Sequence, residues 1–297
     1  MRLVDGHPEI LPGFRWFDAD VDGVSIRCAV SGSGPPLLLL HGHPQTHLTW
    51  HKVAPRLAER FTIVMSDLRG YGDSAKPAGG AEHEAYSKRV MACDQVGLMR
   101  QLGHERFAVV AHDRGARVAH RMALDYPEAV ERMVLLDIAP TATMYAGTNM
   151  EFARRYFWWF FLIQPYDLPE RLIAADPDHF LDTHLAAQTK IAGSADPRVV
   201  AEYRRCYSYP ATRHAICEDY RAAAGIDLVH DAADAEARIA APLLVLWGSM
   251  GTVGALWDVL ATWREKALDV RGHAIACGHS PQEEAPEAFL AALEEFL

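Results

Sequence analysis

The sequence predicts a doubly wound, mostly parallel α/β sheet with an inserted helical cap. Three observations point there: continuous apolar runs at intervals, helical patterns between them, and one long stretch where that alternation lapses. Leu37 to Leu40, Phe61 to Ser66, Phe107 to Ala111, Arg132 to Leu136 and Leu243 to Trp247 are continuously rather than alternately apolar. Such runs suit strands covered on both faces, the condition of a parallel sheet between helices. Helical patterns fall at Thr49 to Glu59, His83 to Leu102, Ala116 to Tyr126 and Pro281 to Leu297. Ahead of these, Phe14 to Arg27 and Cys28 to Ser31 read as two antiparallel edge strands turning at Asp22-Gly23, and Gly32-Ser33-Gly34-Pro35-Pro36 then breaks the chain. Between Thr141 and Ala235 the patterns are helical with no buried strand. Residues 1–140 and 236–297 therefore form the core domain and 141–235 a helical cap, overhanging the carboxyl ends of the strands, where open α/β sheets bind ligands.

Composition narrows the function classes. Half of the 297 residues are hydrophobic, enough for a substantial core, and the net charge of −10 lacks the concentrated Lys and Arg that phosphate binding needs, so no nucleic-acid partner is expected. Cys28, Cys93, Cys206, Cys217 and Cys277 are odd in number and without paired spacing, which suits a reducing cytoplasm. The start, MRLVDGHPEILPGF, carries no signal-peptide pattern, and the longest apolar stretch, Tyr156 to Ile163, is too short to span a membrane and runs into Gln164-Pro165. Its aromatic residues suit core packing or the lining of a substrate cavity. His41, His43, His47 and His51 lack the acidic or helical ligand spacing of a zinc site, so no metal is expected.

The chemistry is concentrated in Val109-Val110-Ala111-His112-Asp113-Arg114-Gly115. A buried strand runs into a tight turn between small residues, with a carboxylate at the apex, where a strained strand-to-helix elbow would present a nucleophile. A carboxylate attacks sp³ carbon and forms an ester, which points to haloalkane, haloacid or epoxide chemistry. The plain alternative is an Asp serving only as a helix N-cap. Asp137 follows the strand ending at Leu136, and His279 lies in a Gly-containing turn before the last helix, giving the chain order nucleophile, acid, histidine. Arg114 and Arg117 share a face of the first turn of the following helix, where cations oppose the helix dipole and each other. A substrate carboxylate would complete them, and the guanidinium fork matches it; salt bridges to protein acids are the alternative.

These segments, with His41-Gly42-His43-Pro44-Gln45, Asp67-Leu68-Arg69-Gly70-Tyr71-Gly72-Asp73-Ser74, Leu136-Asp137-Ile138-Ala139-Pro140-Thr141, Phe160-Phe161-Leu162-Ile163-Gln164-Pro165 and Cys217-Glu218-Asp219-Tyr220-Arg221, resemble the α/β-hydrolase superfamily, specifically its fluoroacetate and haloacetate dehalogenases. The resemblance implies an α/β-hydrolase fold and hydrolysis of a short 2-haloacid to a 2-hydroxyacid plus halide. Asp113 would attack the halogen-bearing carbon; His279, oriented by Asp137, would activate water against the resulting aspartyl ester. The backbone N–H groups of His43 and Arg114 would hold the oxyanion. Arg114 and Arg117 would bind the substrate carboxylate; no cofactor is required, and a homodimer is implied by the resemblance alone. In this family a His-Trp pair and a cap tyrosine receive the halide, and those positions fall on Trp158, Trp159 and Tyr220. The family's histidine is thus a tryptophan here, which counts against fluoride as leaving group, with Tyr145 or His214 as other donors. An epoxide hydrolase would use the same Asp-His-Asp set with Tyr220 and one of Tyr156, Tyr166, Tyr207 or Tyr209. A non-catalytic ligand-binding hydrolase fold is the third reading.

Overall fold

A computed structural model describes residues 1–297. Nine strands form one sheet: β1 (Arg2–Val4), β2 (Arg15–Val21), β3 (Val24–Ser31), β4 (Pro36–Leu40), β5 (Thr62–Ser66), β6 (Phe107–His112), β7 (Val130–Leu136), β8 (Leu243–Gly248) and β9 (Val270–Ile275). Their spatial order is β1-β2-β3-β5-β4-β6-β7-β8-β9. The first three pairings are antiparallel and the rest parallel. From β4 the chain winds first to β5 on one side and then to β6 on the other. The crevice at the carboxyl end of β4 is therefore the topological switch point, where a doubly wound sheet opens to a ligand.

The helices of the sheet layers are α1 (Ala54–Leu57), α2 (Lys88–Gln101) and α3 (Asp113–Asp125). Between β7 and β8 come α4 (Thr141–Ala146), α5 (Met150–Arg155), α6 (Phe157–Phe161), α7 (Leu168–Ala175), α8 (Pro177–Gln188), α9 (Pro197–Ser208), α10 (Pro210–Ala224) and α11 (Ile226–Ala233), with no strand among them. The chain closes with α12 (Val253–Leu256), α13 (Val259–Arg264), α14 (Pro281–Glu284) and α15 (Pro286–Phe296). No helix is long and apolar enough to cross a membrane.

The parallel strands match their apolar runs, since β6, Leu37 to Leu40 of β4 and the inner part of β7 are buried residue after residue. Several boundaries differ from expectation, each for a local reason. The first hairpin divides at its Asp22-Gly23 turn, so the second strand is Val24–Ser31, not Cys28–Ser31. The stretch Thr49–Glu59 holds a 3₁₀ turn, His47–Trp50, and the short α1, because Pro55 is tolerated only in a helix's first turn. Pro286 likewise splits the final helix into α14 and α15. The expected helix His83–Leu102 begins at Lys88, where the Ser87 hydroxyl accepts the Val90 N–H, with a separate 3₁₀ turn at Glu84–Tyr86. The helix expected from Ala116 starts at Asp113. Two edge strands, β1 and β9, were not anticipated; β9 is mostly solvent-facing and so carries no continuous apolar run.

Most of the core is one contiguous cluster running from the sheet into the helices between β7 and β8, where Phe152, Trp159, Leu181, Tyr203 and Tyr220 are buried. Gly115, on the first turn of α3, shows how closely that helix meets the sheet: a Cβ there would lie 2.4 Å from the His41 carbonyl oxygen and 2.8 Å from the Leu40 carbonyl carbon. Backbone atoms cannot step aside as a flexible side chain would. Gly115→Ala should therefore lower stability by about 2 kcal/mol, read as a lower denaturant midpoint with an unchanged slope.

Candidate active site

Three strand ends converge at the switch point. Asp113 follows β6 with φ of 45°, Asp137 follows β7 with φ of 48°, and His279 sits in the turn before α14. Left-handed backbone at two non-glycine residues is strain, and it persists where the surroundings hold it in place. At the Asp113 elbow the nearest constraint is Gly42, whose hypothetical Cβ would lie 2.4 Å from the Asp113 Cβ. Only a glycine lets the loop after β4 pass this close.

The carboxylates lie on either side of one imidazole. His279 Nδ1 and Asp137 Oδ2 are 2.5 Å apart, and the other Asp137 oxygen accepts the Gly248 N–H at 3.0 Å. On the opposite side, His279 Nε2 stands 3.7 Å from Asp113 Oδ2, too long for a hydrogen bond, and has no protein partner. Asp113 Oδ1 accepts the backbone N–H of His43 at 3.0 Å. Burial disfavours a charge on His279, but the carboxylates of Asp113 and Asp137 outweigh it and raise the pKa to about 10. Burial also opposes ionisation of Asp113, yet the adjacent His279, with His112 and Arg117 farther off, holds its carboxyl well below the usual range. The arrangement offers an ionised carboxylate oxygen that stands beside a histidine without being hydrogen-bonded to it.

The two arginines after the elbow are fully buried but differently engaged. Arg114 donates from Nε and Nη2 to the Asp219 carboxylate at 2.8 and 2.9 Å, stacks over the Tyr220 ring at 4.1 Å, and leaves Nη1 unpaired. The Asp219 carboxylate also takes Lys88, and the Tyr71 hydroxyl at 2.6 Å. Arg117 has no carboxylate. Its Nη1 donates to the Ala139 carbonyl and the Thr141 hydroxyl, its guanidinium lies 4.6 Å over the Trp159 ring, and Nε is unpaired. Burial, with Arg114 nearby, pulls its pKa below the ordinary value, the signature of a cation short of a counter-charge.

The aromatic residues between β7 and β8 fill the remaining space. Trp159 is buried with its indole N–H unpaired, and the buried Tyr145 hydroxyl, on a ring packed against it, is unpaired too. Trp158 lines a small cleft that reaches His279 between Tyr156, Gln188 and Lys190. The His43 ring is flanked by Tyr220 and Tyr207, whose hydroxyls lie 3.3 Å from its two nitrogens. Burial pushes His43 down to a pKa of about 3, so it is neutral and can donate through one nitrogen only. Tyr166 and Tyr209 are 72% and 51% exposed, and His214 pairs with Glu170, so none of these turns to the site.

His184 and Asp219 escaped sequence reasoning, whereas Tyr207 entered it only as one of four candidate tyrosines of the epoxide reading. His184 comes from α8, its ring 4.1 Å from Trp158 and 4.6 Å from His43, with both nitrogens buried and unpaired. Burial holds it well below its ordinary pKa, so it is a neutral donor. Its only sequence signal was a helical position opposite the Trp158 segment, which requires knowing how the two helices pack. Unpaired buried polar atoms on Arg114, Arg117, Tyr145, Trp159, His184 and His279 thus gather around the strand ends, each costing on the order of 1–3 kcal/mol unless a ligand or water meets it.

The profile of the alpha/beta hydrolase fold family matches residues 35–286. The chain is 44% identical to a fluoroacetate dehalogenase from a Burkholderia species over 96% of its length and 94% of the relative's. It is 34% identical to a soluble epoxide hydrolase from Corynebacterium sp. (strain C12), covering 91% of this chain and 92% of that one. A crystal structure from Salmonella enterica, of a protein proposed to be an acyltransferase, superposes with a TM-score of 0.98 at 57% identity, covering 100% and 98% of the two chains. With the family profile and the dehalogenase both matched across most of its length, the chain belongs to the α/β-hydrolase superfamily and, within it, to the dehalogenase family.

Proposed function

We propose that this protein hydrolyses haloacetates and other short 2-haloacids to 2-hydroxyacids and halide through an aspartyl ester. The observation that carries this reading is the pair of buried arginines beside Asp113, one lacking any acid and the other keeping a free nitrogen. A small carboxylate placed there would satisfy Arg114 Nη1 and Arg117 Nε and hold the neighbouring carbon against Asp113. In this reading residues 141–235 act as a cap domain closing over residues 1–140 and 236–297.

Asp113 Oδ2 would attack the carbon opposite the halogen, and the halide would leave with the bonding electron pair. Trp159, Tyr220 and His184 would donate hydrogen bonds to it, with Trp158 backing the His184 ring. His184 supplies an imidazole that the sequence pattern at Trp158 lacks, and it supports fluoride as a leaving group. Esterification removes the negative charge of Asp113. His279 then loses one of the two carboxylates that keep it protonated, its pKa falls, it releases its proton to solvent, and as a neutral base it draws a proton from water. The hydroxide adds to Cγ of the ester, and Oδ1 becomes the oxyanion beside the N–H of His43, with that of Arg114 as second donor. Collapse expels the hydroxyacid oxygen, which takes the proton from His279.

One specific observation favours a second reading, epoxide hydrolysis. Tyr207 and Tyr220 both meet His43, and the one that accepts from the ring retains a free hydroxyl proton for an opening epoxide. The buried cations weigh against it, since a neutral epoxide has no use for them. Chloroacetate should release halide, and a terminal epoxide should give no diol; diol without halide would reverse the assignment, and ligand binding without turnover would favour a non-catalytic fold.

Three outcomes are expected. In a single turnover in heavy-oxygen water the label should enter the Asp113 carboxylate and reach the product only in later turnovers; label in the first product would refute the ester. The ester-hydrolysis step should accelerate as pH rises, because only neutral His279 can act, whereas alkylation by the always-ionised Asp113 should stay level between about pH 5 and 9; rapid-quench rates for the two steps separate them. His184→Leu should depress fluoride release at least about tenfold relative to bromide release, since a poorer leaving group needs stronger donors; equal losses on both substrates would remove His184 from the halide subsite.

A further inference from the structure

We propose that Glu284 is a positioning residue that latches the loop after α8 onto the turn bearing His279, and so keeps the base aimed at the ester; this rests on the two-step reading above. Glu284, at the end of α14, is buried, and four backbone N–H groups converge on its carboxylate. Two flank the histidine: Gly278 donates to Oε2 at 3.0 Å and Ser280 to Oε1 at 3.1 Å. The other two belong to the segment between α8 and α9, where Lys190 and Ile191 donate to Oε2 at 2.7 and 3.0 Å. No cation pairs with it, so these donors supply the stabilisation of its charge.

The two segments are pressed together there. The N–H of His279 itself donates to the Gln188 carbonyl at 3.2 Å, closing the same seam between Gly278 and Ser280 on one side and just ahead of Lys190 on the other. Gly278 has no room for a side chain, since a Cβ would lie 2.4 Å from the Gln188 carbonyl oxygen and 2.8 Å from both the Lys190 Cγ and a Glu284 oxygen. His279 is otherwise held through its carbonyl, to which His112 donates from Nε2 at 2.8 Å, and through Asp137. Glu284 therefore bridges the turn that places the base and the end of the helix that carries His184. A carboxylate suits this task because it only accepts; a glutamine of the same shape would turn an NH₂ toward N–H groups.

Misplacing a general base by a fraction of an ångström slows its own step and leaves the nucleophile's step alone. The test is Glu284→Gln, with rapid mixing of enzyme and bromoacetate, a halide-burst rate for alkylation, and intact-mass detection of carboxymethylated enzyme. Ester hydrolysis should slow at least about tenfold while alkylation changes less than about threefold, so that the ester accumulates. Equal slowing of both steps, or no accumulation, would overturn the latch. His279→Ala serves as reference: if it too accumulates no ester, the two-step reading itself is what has failed. Should Glu284→Gln not fold, hydrogen exchange in the wild-type protein decides, since the amides of Gly278, Ser280, Lys190 and Ile191 should be protected to the level of the core strands, and rapid exchange there would overturn the proposal.

Discussion

Everything at the centre of this molecule depends on holding a carboxylate ionised in the dry interior while leaving one of its oxygens unbonded. Asp113 achieves this by division of labour. One oxygen takes a fixed peptide N–H, and the other faces an imidazolium across a gap slightly longer than a hydrogen bond. A shorter contact would lock the oxygen in an ion pair, and a longer one would let burial raise the pKa and protonate it. The positive φ of Asp113, the missing side chain at Gly42 and the tight seating of Gly115 against the loop after β4 all serve that placement.

The second electrostatic group joins the helices to the sheet. Asp219 on α10 receives Arg114 from α3, Lys88 from α2 and the Tyr71 hydroxyl from the loop after β5, so a single buried acid fastens elements from distant parts of the chain. Burying several charges together gives little net stability, but removing any one of them would strand the others. Such a cluster fixes α10 against α2 and α3, and it consumes most of the hydrogen-bonding capacity of Arg114. The donors that remain free are thereby Arg117 Nε and Arg114 Nη1.

What could be read from the sequence follows from how local each signal is. The parallel strands were visible because two-sided burial writes unbroken apolar runs, and the meeting of Asp113, Asp137 and His279 was legible because each follows a strand or turn whose end the sequence marks. The edge strands β1 and β9 were missed because their partly solvated faces leave no such run. Helix ends slipped where a proline or a serine cap decided them, as at Pro55, Pro286 and Ser87. His184 and Asp219 lie on helices whose relative rotation depends on tertiary packing, and no spacing along the chain reveals that His184 meets Trp158 or that Asp219 occupies Arg114.

In the proposed haloacid reading, Arg117 sets stability against function. A fully buried guanidinium without an acid is a burden on the empty fold, one that a bound anion relieves and that selection for thermal robustness would tend to erase. Directed evolution under heat alone would thus be drawn toward neutral, well-packed side chains at this position, arriving at a hardier scaffold with little grip on acids. Screening with a carboxylate present throughout would keep the guanidinium, because the ligand-bound protein then becomes the state whose melting is selected.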